Sequence, residues 1–274
     1  MSSNVGSSTP TSRFLALAKT TKFTWFLGHF LVVLSSTFYW LSFRVTSLTE
    51  VWYRLIFVGA LESFGVLVYQ SYGKYFKKKT EATKSEKQAD DAIQLRLLFR
   101  DENVLYLLLS TTWLVLSPRI AVATVPFFII SLFHVLTYTV NDFASNVLLV
   151  NDVKSHPYLK FLDFLVTQNH ENSLNAICNS EILCLFYNIL RLLTFRSRSL
   201  FTLAAIFLFV GFKCQCSAHM KRAVAKLEVR LDGLIAHPSV PPTVKSRYTS
   251  IKLFIRRYFV TATSTAPVQE KKST

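Results

Sequence analysis

The sequence predicts an all-α, polytopic integral membrane protein with helical hairpins and C-terminal amphipathic helices. Of its 274 residues, 51% are hydrophobic and only 17% are charged, a balance that would leave large apolar patches on a soluble protein. Two uncharged segments reach about 20 residues, the length of helix that crosses roughly 30 Å of hydrocarbon. The formal net charge is +15, and the basic residues cluster beside these segments. This placement favours an anionic membrane surface over nucleic acid as the partner.

The N-terminal part of the chain is predicted to contain a polar tail and a membrane anchor. Residues 1–22 begin with a Ser- and Thr-rich stretch and are expected to be a disordered, cytosolic N-terminus. Phe23 to Phe43 is an apolar span of about 21 residues, which is too long for a signal-peptide core and has no small-residue cleavage site after it. We therefore expect it to be the first of two transmembrane helices in residues 23–72.

The second predicted span, Val51 to Tyr72, contains two ionisable residues. Arg54 lies near one end, from which its side chain can reach the interface. Glu62 falls near the middle of the membrane, where an ion is costly unless it is paired or protonated. It is either a proton or substrate site or a neutral, hydrogen-bonded residue that holds two helices together. The second interpretation is preferred, because no other predicted span contains an acidic residue. Gly59 and Ser63 form a small-residue face for close helix approach.

A hydrophilic loop and a helical hairpin follow. Residues 73–102 are rich in Lys, so the positive-inside rule places this loop, and with it the N-terminus two spans earlier, in the cytosol. Residues 103–140 are predicted to form a membrane helical hairpin, which Ser117-Pro118 breaks. The second limb is about 21 residues long, and His134 is its only group that ionises in the physiological range. The first limb, of about 15 residues, crosses only if preceding residues help or the bilayer thins.

Residues 141–242 are expected to form cytosolic, interfacial and re-entrant helices. A short amphipathic helix begins at His156-Pro157. The apolar segments Glu181–Phe195 and Leu200–Phe212 suit interfacial or re-entrant helices better than full crossings, because each is short. The turn between them is flanked by Arg residues, and a lumenal position for it would oppose the positive-inside rule. Shallow insertion is therefore favoured over a full crossing. Lys213 to Ala236 has one apolar stripe and is predicted to be a further helix.

The last predicted helix, residues 243–259, combines basic residues with an aromatic-rich apolar face and contains no acid. Such a helix is typical of one that lies in an anionic bilayer surface. The predicted membrane-binding residues are Val244, Lys245, Arg247, Tyr248, Ile251, Lys252, Phe254, Ile255, Arg256, Arg257, Tyr258 and Phe259. The alternatives are an ordinary helix packed on a partner, a basic cluster bound by a nuclear import receptor, and a nucleic-acid-binding helix suggested by charge alone. Nucleic acid is not expected as a partner.

Residues 260–274 are expected to be a disordered tail with a retrieval signal. Lys271 and Lys272 lie fourth and third from the end, as in the dilysine address of the endoplasmic reticulum (ER). That address functions only on a cytosolic C-terminus. The predicted topology places both termini in the cytosol.

No cofactor or metal site is predicted. The glycines form neither GxGxxG nor a P-loop motif, which excludes nucleotide-binding loops of those types. Cys214-Gln-Cys216, followed by His219, lacks the second ligand pair that a zinc site requires. Palmitoylation near the membrane or simple burial is the favoured role of the cysteines.

A series of short motifs lies along residues 23–259. They are Tyr53 with Arg54, Asp101, Tyr106-Leu107-Leu108, Pro118, Pro126, His134 with Thr137-Tyr138-Thr139, Gln168-Asn169, Cys178-Asn179-Ser180-Glu181-Ile182, Pro238 and Pro241. In their order and spacing the chain resembles the transmembrane protein 33 family, which includes fungal pore-membrane and perinuclear ER proteins. The resemblance implies a protein of the ER membrane and nuclear envelope that takes part in nuclear pore complex assembly or distribution and in ER tubule structure. It implies reticulon-type and pore-membrane proteins as partners, and no catalytic residues.

The predicted function is that of a non-enzymatic organiser of curved ER and pore membrane. Short hairpins and surface helices occupy area in the cytosolic leaflet, which favours bending toward it. One alternative is a membrane transporter or proton channel that uses Glu62, Arg54 and His134. Another is a lipid-modifying enzyme, for which His134 and His170-Glu171 are the candidates, although neither lies in a His-box or nucleophile arrangement.

Overall fold

The computed structural model describes residues 9–42, 47–81, 97–149 and 156–257. Within these ranges the structure is helical and has no strand, which confirms the predicted all-α class. The helices are α1 (Pro10–Ala18), α2 (Thr21–Leu41), α3 (Ser47–Glu81), α4 (Glu102–Val115), α5 (Ala121–Tyr138), α6 (Ala144–Asn146), α7 (Pro157–Leu193), α8 (Ser199–Cys216), α9 (Ala218–Ala236) and α10 (Pro242–Ile255). A π-helical turn, Thr139–Phe143, joins α5 to α6.

Six of the described helices form a closed ring. In the order α2, α3, α4, α8, α7, α5 and back to α2, each helix contacts the next. The start of α3 lies beside the connection between α4 and α5, because Arg119 Nε is 3.1 Å from the Glu50 carboxylate. At the opposite end, Glu102 at the start of α4 lies 3.8 Å from Lys213 near the end of α8. The ring therefore has a turn end, with the α4–α5 and α7–α8 connections, and a tail end, with α1, α9 and α10.

Glycine allows α2 and α3 to approach closely. A Cβ atom placed on Gly28 would lie 2.7 Å from the carbonyl oxygen of Gly59, and one placed on Gly59 would lie 2.6 Å from that of Gly28. Ser63 Oγ donates to the carbonyl oxygens of Gly59, at 3.0 Å, and Trp25, at 3.3 Å. The predicted small-residue face of Gly59 and Ser63 is confirmed, and α2 is the helix that packs on it.

Aromatic side chains fill the interior of the ring. The rings of Phe64 and Tyr106 stack at a centroid distance of 5.0 Å, while Phe127 lies 5.8 Å from Tyr106 and 5.4 Å from Phe57. All four are buried. Aromatic pairs of this kind contribute about 0.5–1.5 kcal/mol each beyond the burial of their area. Outward-facing residues such as Leu190 are exposed and apolar, as contact with lipid requires.

Five of the described helical segments are long and apolar enough to cross a membrane. They are Thr21–Leu41, Ser47–Gly73, Ala121–Asn146, Pro157–Leu193 and Ser199–Cys216. The first three overlap the two predicted spans and the second limb of the hairpin, and the second and third, at 27 and 26 residues, are each about five residues longer than predicted. α4 has 14 residues, about 21 Å of helix, and is the short first limb that the sequence predicts.

The helix α7 differs from the prediction. The short helix expected at His156-Pro157 and the apolar segment Glu181–Phe195 belong to one continuous helix of 37 residues. Pro157 occupies its first turn, and no other Pro and no Gly follows to interrupt it. α8 also extends beyond Phe212, to 18 residues in all. The short lengths on which the predicted shallow insertion rested are therefore wrong, because both helices are long enough to cross a membrane.

Residues 10–18 also differ, because they form α1 where the sequence predicts disorder. Thr9 Oγ1 accepts a hydrogen bond from the Ser12 backbone N–H at 3.3 Å, and Pro10 occupies the first turn. Both are standard features of a helix start. The Thr and Ser residues that suggested disorder thus include the cap of a helix. The predicted loop also begins later than expected, since α3 continues to Glu81.

Candidate functional site

Arg54 donates hydrogen bonds to backbone carbonyl groups at the end of a neighbouring helix, α4. The last carbonyl groups of α4 have no partners within the helix, which ends shortly before Pro118. Arg54 Nη1 donates to the carbonyl oxygens of Trp113, at 3.2 Å, and Leu114. Its Nε donates to Glu50 Oε1 at 2.7 Å. Arg54 thus lies at the turn end of the ring, near the end of its span as predicted, and its side chain is held there by Glu50 and the end of α4.

Glu62 lies half-buried on α3. Among the residues that the structure describes, none forms a hydrogen bond or ion pair with its carboxylate. The preferred interpretation, in which Glu62 holds two helices together, therefore has no support from the described contacts.

His134 belongs to an aromatic cluster between α2 and α5. Its ring lies 5.0 Å from that of Trp25 and 4.6 Å from that of His29, measured between centroids. His29 is fully buried, and its Nδ1 lies 2.9 Å from Ser131 Oγ. Neither Arg54 nor Glu62 takes part in this cluster. The three polar residues predicted within the membrane are thus not brought together, and a transport site built from all three has no geometric basis in the described structure.

A buried charged centre, which the sequence did not predict, joins three helices. Lys213 Nζ on α8 lies 2.8 and 2.9 Å from the two carboxylate oxygens of Glu181 on α7, and it also donates to the Tyr106 hydroxyl on α4. Tyr106 donates in turn to Glu181. The side chains of Glu181 and Lys213 are 0% and 2% exposed. We call these three residues the buried centre.

The buried centre corrects the prediction that no other span contains an acidic residue, because Glu181 lies inside a candidate span. Two signals point to it. Both Glu181 and Lys213 interrupt apolar segments, where an ion requires a partner. Tyr106 and Glu181 also belong to the motifs that carry the family resemblance. Lys213 was predicted to begin the next helix, whereas it lies within α8, beside Glu181 on α7.

The chemistry of the buried centre favours a structural connection. The three ammonium hydrogens of Lys213 match three acceptors, which are the two oxygens of Glu181 and the hydroxyl of Tyr106. A cleft of about 220 Å³ lies beside it, lined by residues that include Phe64, His134 and His219. Within the described residues, no group of three or more His, Cys, Asp or Glu side chains is placed to bind a metal ion.

The helices α9 and α10 form a hairpin at the tail end, connected through His237 to Pro241. Lys252 Nζ on α10 lies 2.8 Å from Glu228 Oε1 and 2.7 Å from Asp232 Oδ2 on α9. Arg256 Nη2 is 2.5 Å from the same Glu228 oxygen, and the Tyr248 hydroxyl donates to Asp232 at 2.7 Å. We call these five residues the clasp.

Charge complementarity shifts the pKa values of the clasp. Hydrogen bonding to Lys252, followed by the charge of Arg256, lowers the pKa of Glu228 against the effect of partial burial. Hydrogen bonds from Lys252 and Tyr248 lower the pKa of Asp232. The same contacts raise the pKa of Lys252. All three groups are therefore charged at neutral pH.

The clasp divides the predicted membrane-binding residues into two sets. Tyr248, Lys252 and Arg256 contact α9, while an adjacent surface of α10 is exposed and both apolar and basic. This surface comprises Val244, Arg247, Ile251, Leu253, Phe254, Ile255 and Arg257. We call it the outer face of α10. Lys245 is half-buried, and its Nζ lies 3.4 Å from the Ala236 carbonyl oxygen. Tyr258, Phe259, Lys271 and Lys272 lie outside the described residues.

The hairpin keeps a strong positive charge despite the clasp. Residues 218–257 contain nine Lys and Arg residues and two acidic residues, and both acids belong to the clasp. A ring of apolar helices with a basic helical hairpin at one end defines a polytopic α-helical membrane protein.

Comparisons with known proteins identify the family. The model of the Transmembrane protein 33/Nucleoporin POM33 family matches residues 8–260, and the chain belongs to this family. It is 33% identical over 262 residues to the Pore membrane protein of 33 kDa of Saccharomyces cerevisiae, which covers 95% of this chain and 91% of that protein. It is 27% identical over 265 residues to Nucleoporin POM33 of Chaetomium thermophilum, which covers 90% of this chain and 88% of that protein.

A third relative is Tetra-spanning protein 1 of Schizosaccharomyces pombe, with 23% identity over 93% of this chain and 90% of that protein. No solved structure matches the chain. The resemblance drawn from the sequence motifs is thereby confirmed.

Proposed function

We propose that the protein is a pore-membrane protein of the nuclear envelope and ER that supports curved membrane through its α9–α10 hairpin. The relatives support the location, because two of them are named as a pore membrane protein and a nucleoporin. The outer face of α10 supports the mode of action, because it combines exposed apolar residues with Arg247 and Arg257. The proposed role is non-enzymatic and includes nuclear pore complex assembly or distribution and ER tubule structure.

The proposed topology places the tail end of the ring in the cytosol. Among the described residues, basic side chains are far more numerous there, in residues 9–22 and in α9–α10, than at the turn end. The positive-inside rule favours this orientation even though Arg196 and Arg198 then lie on the lumenal side. In this topology α7 and α8 both cross, and the N-terminus, the hairpin and the dilysine tail are all cytosolic.

The proposed mechanism is insertion of the outer face of α10 into the cytosolic leaflet. Ile251, Leu253 and Phe254 are each more than half exposed, so their transfer from water into the acyl boundary is favourable. The flanking guanidinium groups bind anionic headgroups. Area added to one leaflet favours curvature toward that leaflet, as at the pore membrane.

Other proposed partners are proteins. Reticulon-type and pore-membrane proteins follow from the family, and a nuclear import receptor follows from the basic C-terminal helix. Of these partners, only the import receptor would compete with anionic lipid for the arginines of α10.

The proposal is tested with the full chain in neutral phosphatidylcholine nanodiscs mixed with liposomes that contain phosphatidylserine. We expect the nanodiscs to float with anionic liposomes, and more strongly with small than with large ones. Replacing Ile251 and Phe254 with Asp should abolish flotation, because charged residues do not enter the acyl boundary. The matched control, Thr249→Asp with Ser250→Asp, adds the same charge at exposed polar positions of α10. Flotation that is equal for all liposome sizes and for both variants would contradict the proposal.

A further inference from the structure

The connection between α1 and α2 places α1 at the membrane surface. Only Lys19 and Thr20 separate Ala18, the last residue of α1, from α2, whose residues form a candidate membrane span. Two residues reach at most about 7 Å, so the end of α1 lies within the headgroup region when α2 crosses the bilayer.

The packing of α1 shows that it lies against the ring and does not project from it. The rings of Phe14 and Phe23 make contact at a centroid distance of 5.8 Å, whereas nine residues of a straight helix would separate them by about 13 Å along the axis. α1 also contacts α6, which follows the α5 span at the tail end. The helix therefore folds back across this end of the ring.

The surface of α1 has the composition of an interfacial helix. Leu15 and Phe14 are 55% and 39% exposed. Residues 9–22 contain three basic residues and no acidic residue. Of these, Lys22 already has a partner, since its Nζ lies 2.6 Å from Asp142. Apolar and basic side chains at the end of a span fit the boundary between acyl chains and anionic headgroups.

Arg13 provides a second, independent observation. Its Nε and Nη1 atoms are shielded from solvent, and no acceptor among the described residues forms a hydrogen bond with either. A shielded charged donor without an acceptor is unfavourable. A phosphate group accepts from two guanidinium N–H groups at once, those of Nε and Nη2 or those of Nη1 and Nη2, because its oxygen spacing matches their planar geometry. One phosphate therefore supplies an acceptor to one of the two shielded atoms.

We propose that α1 is a second lipid-binding element, in which the Arg13 guanidinium binds the phosphate of an anionic phospholipid while Leu15 enters the acyl boundary. This site is separate from the outer face of α10 in sequence and lies on a different helix, although it uses the same combination of guanidinium and apolar groups. It anchors the N-terminal end of the ring to the leaflet on the tail side.

The test measures amide hydrogen exchange of residues 10–18 in the full chain, in nanodiscs of phosphatidylcholine alone or with phosphatidylserine. We expect exchange to be roughly tenfold slower in the anionic nanodiscs, the effect of one charge-assisted hydrogen bond. Arg13→Ala should remove the difference. The control Lys19→Ala, which removes one charge from the exposed turn after α1, should keep most of it.

Three results would overturn the proposal. Equal exchange of the unaltered chain in both lipids would exclude an anionic lipid, and this comparison requires no variant. Equal protection in neutral nanodiscs on addition of inorganic phosphate would indicate a site for free anions. Protection that persists in Arg13→Ala would indicate that α1 is held by protein contacts or by a second copy of the chain.

Discussion

The buried centre and the clasp use the same chemistry in opposite surroundings. Lys213 lies 2.8 Å from a carboxylate oxygen of Glu181, and Lys252 lies 2.7 Å from one of Asp232. The first lysine side chain is 2% exposed and the second is 24% exposed, opposite an Asp232 that is 44% exposed. Solvent compensates a charge that loses its partner at the surface but not one inside the ring. Two ion pairs of nearly equal length should therefore differ in the stability that is lost when one partner is removed.

The largest expected effect is the loss of one partner in the buried centre. Lys213→Ala leaves the Glu181 carboxylate buried and unpaired, which should lower the free energy of unfolding by roughly 3–5 kcal/mol. Thermal unfolding in lipid-detergent micelles measures this change.

A matched triple variant separates charge from packing at the same site. Tyr106→Phe, Glu181→Leu and Lys213→Met together remove every polar group of the buried centre and keep side chains of similar size. Stability should return to within about 1–2 kcal/mol of the unaltered chain, because no unpaired ion is left. If the triple variant were as unstable as Lys213→Ala, the charge-based explanation would be wrong.

Glycine positions extend the comparison to packing. Gly59→Ala places a Cβ 2.6 Å from the Gly28 carbonyl oxygen, so α2 and α3 must separate, and we expect a loss of about 1–3 kcal/mol. Gly233 lies in the surface hairpin, and a Cβ there meets nothing within 4 Å. Gly233→Ala should instead stabilise α9 by about 0.5–1 kcal/mol through helix propensity. The free energy of unfolding of both variants, measured under the same conditions, should fall for Gly59→Ala and rise for Gly233→Ala. A change in the same direction for both would contradict the packing of α2 on α3.

The smallest effect is expected at the clasp, and it depends on pH. Lys252→Ala should speed amide exchange in α10 without a measurable change in overall unfolding, since exposed ion pairs contribute little. The pKa values of Glu228 and Asp232 are lowered, chiefly by their hydrogen bonds to Lys252, so their contribution is complete above the ordinary carboxylate pKa and is lost as pH falls through the lowered pKa values.

The ratio of exchange rates between Lys252→Ala and the unaltered chain should therefore be constant from about pH 6 to 8 and approach one below about pH 4. Arg247→Ala is the control, because it removes a positive charge from the exposed face of the same helix. A ratio that also fell in the control would indicate a general charge effect.

Local signals were sufficient to predict the class, the first helices and the break at Ser117-Pro118, but not that α4 and α5 lie apart in the ring. Apolar length predicted α2 and α5, which are uninterrupted, and α3, which Arg54 and Glu62 interrupt, while Ser117-Pro118 predicted the end of the first limb. The small-residue face of Gly59 and Ser63 was visible for the same reason, since close helix approach in membranes depends on the residues themselves.

Features that depend on partners distant in the sequence were missed. Glu181 and Lys213 are 32 residues apart, and Tyr106 is a further 75 residues from Glu181, so no periodicity joins them. Segment lengths were also misjudged where polar and apolar residues share one helix, as in α7. The membrane-binding residues of α10 were predicted as one set that lacked Leu253, and only the position of α9 shows that Tyr248 and Lys252 bind Asp232.

Sidedness is the most direct test of the proposed arrangement. Glycosylation acceptors with flexible flanking spacers can be inserted at Ser197, in the α7–α8 turn, and at Ser239, in the α9–α10 turn, of the full chain in ER membranes. A lumenal turn end and a cytosolic tail end predict glycan addition at Ser197 and none at Ser239. Glycan addition at Ser239 would place the hairpin in the lumen and contradict its proposed binding to the cytosolic leaflet.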